Sequence, residues 1–196
     1  MKRSKITILL AIVLGMTFHS CLDLEPQDQL GGKNMWTSVN DYKQFANTFY
    51  SWTRDFSSVV YDGTHSDKRS DLITYQSYNE FSRGINSIPS SDANYTDNYK
   101  HIRRTNLLLQ NAEAYAKPED IKQYIGEAYF FRAYSYFDLL QLYGDVIITK
   151  KPLDITDPEM KVKRNDRSEV VDLIIDDLNH AVENLPAFKA VSYTHL

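Results

Sequence analysis

The sequence has a single cysteine, Cys21, among its 196 residues. A disulfide framework within the chain is therefore excluded, as is any zinc site that needs more than one thiolate. Glycine is scarce, at seven positions against fourteen tyrosines. That balance reads as amphipathic helices rather than a β-sandwich. No apolar run reaches the ~20 residues that a membrane-spanning helix requires. Positive charge is also short. The formal net charge is −4, and taking away Lys2, Arg3 and Lys5, the only charged residues ahead of Asp23, leaves −7. So acidic a chain lacks the basic face that phosphate binding needs, and nucleic acid is not an expected partner. His65, His101 and His180 show no metal-ligand spacing and there is no HExxH. A glycine-rich phosphate loop and a nucleophile elbow are missing as well. Neither a cofactor nor a metal is expected.

The N-terminus carries an address. Lys2, Arg3 and Lys5 form a charged head, and the apolar run ITILLAIVLGMTF follows at residues 6–18. Length and charge pattern fit a secretory signal peptide, which argues against an intracellular repeat adaptor. The run ends at Phe18-His19-Ser20-Cys21, which resembles the lipobox of bacterial lipoproteins. There cleavage precedes the cysteine and the thiol is acylated. Phe18 and His19 depart from the commoner Leu-Ala-Gly pattern, whereas Ser20 is small, as cleavage requires. Cys21 is thus the expected lipid anchor; stable anchoring takes more than one acyl chain, at ~0.8 kcal/mol per buried methylene. The next residues, Leu22-Asp23-Leu24-Glu25-Pro26, are acidic and tether-like, resembling the surface-export signal of Bacteroidetes lipoproteins. At the other end, residues 191–196 (VSYTHL) back-translate as GTC TCT TAT ACA CAT CT. This resembles a transposon-end sequencing adapter read in frame, so that stretch is read as an artefact and His195 is given no chemistry. The expected organisation is a signal peptide at 1–20, a tether at 21–37, a helical domain at 38–190 and the adapter-derived tail at 191–196.

The body reads as helices joined by irregular segments. Ser38-x-x-Asp41 is a capping-box variant, and Tyr42, Phe45, Ala46 and Phe49 follow at i, i+3, i+4, i+7, predicting a helix over about 38–52. Periodicity then fails from 53 to about 93, a stretch long for a loop, so it is either functional or carries short elements that period does not place. A second helix is predicted over about 94–115, with Tyr95, Tyr99, Ile102, Asn106 and Leu109 on one stripe. Pro118 opens a third, with Glu119 and Asp120 in its first turn, and Gly144 ends it. Val146 to Thr149 reads as a short extended piece before Lys151-Pro152. A fourth helix is predicted over about 168–185, its apolar face being Val171, Ile174, Ile175, Leu178, Ala181, Val182 and Leu185, with Pro186 as its stop. Ile125-Gly126-x-x-Tyr129 and Ala133-x-x-x-Phe137 echo parts of the tetratricopeptide pattern, though their mutual spacing fits no single repeat. Glu127 and Arg132 stand five apart among apolar neighbours, so each is assigned a partner on a neighbouring helix rather than a ligand. Asn106, on an apolar stripe, is read as a satisfied core amide.

The segment from Gly126 to Val146, GEAYFFRAYSYFDLLQLYGDV, resembles the hallmark G-E-A-x-F-L-R-A-x-x-Y-F-x-L-V-x-x-Y-G-x-V-P of the SusD/RagB family, with Phe131 for the usual Leu and Ile147 for the usual Pro. Tyr99-x-x-Ile102-x-x-x-Asn106 resembles that family's Y-x-x-I-x-x-x-N helix. The run from Arg167 through Val170, Ile174, Asp177, Leu178, Ala181 and Leu185 to Pro186 resembles its next helix. Cys21-x-Asp23-x-x-Pro26 and Trp36 also fit. The resemblance implies an all-α, tetratricopeptide-like scaffold with ligand-bearing loops, and a chain that is the N-terminal fragment of a longer protein. It further implies a cell-surface outer-membrane lipoprotein that binds oligosaccharide, or in some members peptide, without catalysis. Its partner would be a SusC-like TonB-dependent transporter.

Sugar rings present C–H faces to flat aromatic rings while their hydroxyls take polar partners. On that chemistry the candidate ligand residues are Arg69, Asp71, Tyr75, Tyr78, Tyr95 and Asn98; in the family a Trp often stands near the place that Tyr95 takes. The rival reading is a glycoside hydrolase on a helical scaffold, its carboxylate pair drawn from Asp67, Asp71 and Glu80.

Overall fold

The computed structural model describes residues 35–54, 84–85, 87–154 and 156–187. The chain divides into two compact units, Met1–Met35 and Trp36–Leu196; the architecture below is that of the second. It is helical: α1 (Val39–Asn47) running into a 3-10 turn (Thr48–Trp52), α2 (Ala93–Glu113), a 3-10 turn (Pro118–Ile121) leading into α3 (Lys122–Tyr143), a further turn (Pro158–Lys161), and α4 (Arg167–Asn184). Among the described residues the only β pairing is one antiparallel bridge, Val146 to Asn165. The expected all-α class is the class observed, a tetratricopeptide-like helical layer.

The helix starts follow local chemistry. At α1 the Ser38 side chain accepts from the Asp41 amide (3.4 Å) and the Asp41 carboxylate accepts from the Ser38 amide (2.8 Å), a closed capping box. Asp92 caps α2 by accepting from the Asn94 amide at 2.9 Å. Asp166 caps α4, and Glu169 reaches back to the Asp166 amide at 3.2 Å. Pro118 starts a 3-10 turn before the α-helical hydrogen bonding of α3 begins at Lys122, so the start predicted at Pro118 is present but tighter. Gly144 ends α3 at φ 71, a left-handed conformation that favours glycine. Trp36 also has positive φ, 78. Its ring stands edge-on to Tyr42 and Phe45 at 5.0 and 4.8 Å, contacts that hold a bulky residue in this region.

α3 is the central helix, packed between α2 and α4. It is buried on both sides, with Ala128, Phe131, Ala133, Tyr136 and Leu139 all 2% exposed or less. Each large side chain so buried contributes roughly 1.5–3 kcal/mol of transfer free energy. Gly126 lets α4 come close: a Cβ there would lie 3.0 Å from the Leu185 side chain.

The face of α4 differs from the one expected. Val170, Leu173, Ile174, Asp177 and Ala181 are buried, whereas Val171, Ile175, Leu178 and Val182 are 39, 53, 39 and 79% exposed. α4 carries apolar residues over more than one face, and period alone does not say which meets α3. The side that turns inward carries Val170, Leu173, Ile174 and Ala181 and, with them, Asp177, which pairs with Arg132 of α3.

Among the described residues no helix is long and apolar enough to cross a membrane, and no group of three or more His, Cys, Asp or Glu side chains could hold a metal.

Candidate functional site

Between α3 and the turn at Pro158, the chain from Val146 to Lys151 forms an extended strap. With only one β-bridge, it is held by side chains. The Tyr99 hydroxyl donates to the Ile147 carbonyl (2.8 Å) and accepts from the Ile147 amide (2.9 Å). The Tyr136 hydroxyl accepts from the Thr149 amide (2.7 Å) and lies 3.2 Å from the Thr149 carbonyl. Asn165 Oδ1 accepts from the Ile148 amide at 2.9 Å. The Asn106 amide nitrogen donates to the carbonyls of Thr149 and Lys151 at 3.0 and 3.2 Å. Burial pushes both phenols, Tyr99 and Tyr136, above the ordinary tyrosine range, so they remain protonated and able to donate.

The strap and the N-terminal half of α2 enclose a cleft of about 390 Å³, within the ~300–1,000 Å³ usual for ligand pockets. Tyr95 and Tyr99 supply aromatic wall, their ring centroids 4.8 Å apart, and Tyr143 stands edge-on to Tyr95 at 5.2 Å. Ile147, Thr149 and Leu153 come from the strap side. The rim is charged. Lys151 pairs with Glu159 at 2.7 Å, and that hydrogen bond raises the Lys151 pKa. Arg103 donates to the Leu153 carbonyl at 3.1 Å and meets Asp154 at 3.3 Å. Flat rings inside and donors and acceptors at the edge suit a ligand with apolar faces and hydroxyl edges.

On the opposite face of the same half of α2 lies a smaller hollow of about 180 Å³, lined by Trp52, Asp97, Asn98, His101, Tyr134 and Asp138 among others. Trp52 stacks on His101 with centroids 4.1 Å apart and 13° between planes. Phe49 also packs on Trp52, with centroids 4.6 Å apart and 31° between planes. Asp138 is ion-paired with Arg54.

Two of the six candidate ligand residues fall in the described region. Tyr95 lines the larger cleft and Asn98 the smaller hollow, so the structure does not bring them together. Asn98 is 8% exposed and its amide nitrogen donates to the Asn94 carbonyl at 2.8 Å. Arg69, Asp71, Tyr75 and Tyr78 lie outside the described residues, as do Cys21 and the carboxylates Asp67, Asp71 and Glu80. Tyr99, which the sequence places on one stripe with Tyr95 but not among the ligand candidates, and the strap complete the cleft. Tyr99 stands four residues after Tyr95, one helical turn on and on the same face, and that spacing was the available signal. Arg132 and Asn106 do have the structural partners expected of them. Glu127 bonds within its own helix, to Gln123 at 2.8 Å, and burial together with Glu127 raises the pKa of Tyr50 from the 3-10 turn after α1.

A SusD-like family model, described as starch-binding and associating with the outer membrane, matches residues 22–195. The chain is similar to SusD-like protein P38 of Formosa agariphila, with 28% identity over 204 residues that cover 94% of this chain and 38% of that protein. It thus spans under two fifths of that relative's length. A solved SusD-like protein of Bacteroides fragilis superposes with a TM-score of 0.65 at 25% identity, covering 86% of this chain and 34% of the other. A second, a SusD-like carbohydrate-binding protein of the same species, gives a TM-score of 0.60 at 20% identity over 81% of this chain and 34% of its own, a likeness of fold.

Proposed function

The chain belongs to the SusD-like family, and from that premise we propose that it binds oligosaccharide at the surface of the outer membrane, anchored through Cys21, and passes it to a SusC-like TonB-dependent transporter. The observation that carries the binding reading is the cleft in which Tyr95 and Tyr99 form a wall beneath a rim of Lys100, Arg103, Lys151 and Glu159. Tyrosine rings take the C–H faces of a sugar, and the rim exchanges hydrogen bonds with its hydroxyls. The starch-binding description of the family and the carbohydrate-binding name of one structural neighbour favour glycan over peptide.

Binding without cleavage is the reading that the family description supports, since it names binding. Two carboxylates at the cleft, Glu159 and Asp154, are each paired with a cation, Lys151 and Arg103.

The test is electrophoresis of the protein through native gels containing starch or other polysaccharides, with reducing ends assayed in parallel. Retardation without released ends, lost in Tyr95→Ala, is the expected result. Released reducing ends would overturn the binding reading, and calorimetric binding of peptides with none of oligosaccharides would overturn the ligand class.

A further inference from the structure

Arg132 sits midway along α3, 5% exposed, and it does not line the cleft. Its Nε and Nη2 donate to the Asp177 carboxylate at 2.8 and 2.6 Å, and its Nη1 donates to Asn106 Oδ1 at 2.8 Å. A guanidinium carries donors only, so the Asn106 atom that faces it must be the acceptor oxygen. The amide nitrogen is thereby turned the other way, where it meets the carbonyls of Thr149 and Lys151. Carbonyls accept only. The Asn106 amide therefore has one orientation, imposed from both sides, and the strap is tied to a charge fixed on α4.

We propose that Arg132 is a positioning residue for the cleft: seated by Asp177, it orients Asn106 and so sets where Thr149 and Lys151 stand in the cleft wall. The chain of contacts runs from α4 through α3 and α2 to the strap. Its bearing on ligand rests on the cleft being the binding site, but its action on the strap does not. Asp177 makes this placement tolerable, since a buried guanidinium without a counter-charge is strongly unfavourable.

Two substitutions in the 196-residue chain test it. Asn106→Asp keeps an acceptor for Arg132 but sets a carboxylate oxygen against two carbonyls. Arg132→Lys keeps a charge for Asp177, but an ammonium cannot reproduce the planar fork that serves Asp177 and Asn106 at once. Hydrogen exchange read by NMR at the amides of Ile147, Ile148 and Thr149 should speed up about tenfold or more in both variants, while the α3 amides of Leu139 and Leu140 hold their rates. Unchanged strap exchange, or equal acceleration in strap and helix, overturns the proposal. If neither variant retains helical circular dichroism, the network is an element of folding alone and the positioning role is refuted. Titration with maltoheptaose adds the ligand readout: Asn106→Asp should bind about tenfold more weakly than the parent chain. A parent chain that ignores maltoheptaose counts against the starch-type ligand, while the exchange result still decides the role of Arg132.

Discussion

The guanidinium of Arg132 and the carboxylate of Asp177 meet through two hydrogen bonds, with 6 and 0% of their side-chain surface exposed. Burial lowers the Arg132 pKa, but the Asp177 hydrogen bond and charge outweigh it and the net shift is upward. Removing one partner strands the other. Asp177→Ala is expected to cost about 3–5 kcal/mol in urea denaturation. The apolar double variant Asp177→Leu with Arg132→Met should lose less than Asp177→Ala alone, because no buried charge is left unpaired. A double variant as unstable as the single one would show that the pair stabilises more than it costs.

Gly126 is the contact point of α3 with the C-terminal end of α4. An added Cβ would stand 3.0 Å from Leu185 Cγ, 3.1 Å from Asn184 Cβ and 3.1 Å from the Leu185 amide nitrogen. One of these atoms is backbone, so the neighbour cannot simply rotate away. Gly126→Ala should therefore destabilise by about 1–3 kcal/mol despite alanine's better helix propensity. A gain in melting temperature would contradict the close approach.

His101 sets an expectation for pH. Burial, the largest influence, lowers its pKa below 6.5, with Arg104 and Lys100 acting in the same direction and Asp97 and Asp138 against it. The fold favours the neutral ring. Between 6.5 and the lower folded value the unfolded chain binds more protons, so stability is present above that window and falls as pH falls through it. The melting temperature should decline on acidification from pH 7, and His101→Gln should remove this part of the decline. An equal decline in the variant would assign it elsewhere.

Cys21 yields a direct measurement of anchoring. Expressed in a host with a lipoprotein pathway, the chain should incorporate radiolabelled palmitate, and Cys21→Ala should abolish the label. Persistent label in the variant would place acylation at another residue and refute Cys21 as the anchor.

Much of the fold was legible because it is local. The capping box at Ser38, Pro118 and Gly144 mark helix ends through chemistry that acts within a few residues. The face of α4 was not legible. Asp177 reads as a surface carboxylate until its partner is known, and that partner lies 45 positions away in sequence. With Val171, Ile175, Leu178 and Val182 offering a competing apolar stripe, hydrophobic period finds Ile174 and Ala181 of the buried face but not Val170 and Leu173. The site was half legible for a similar reason. Tyr95 could be read from aromatic chemistry, whereas the strap is placed by hydroxyls and side-chain amides that lie beyond the reach of local pattern, as far as Tyr99 with Ile147, 48 residues on.

The stacking of Trp52 on His101 makes the indole a built-in optical gauge. A ring pressed face to face on an imidazole senses whether that imidazole carries charge, since a cation against the π-face draws on the indole's electrons. The other described tryptophan, Trp36, has Tyr42 and Phe45 as its ring neighbours. Emission from Trp52 should therefore dim as His101 takes up its proton while that of Trp36 stays level, reporting the state of the smaller hollow without any added dye.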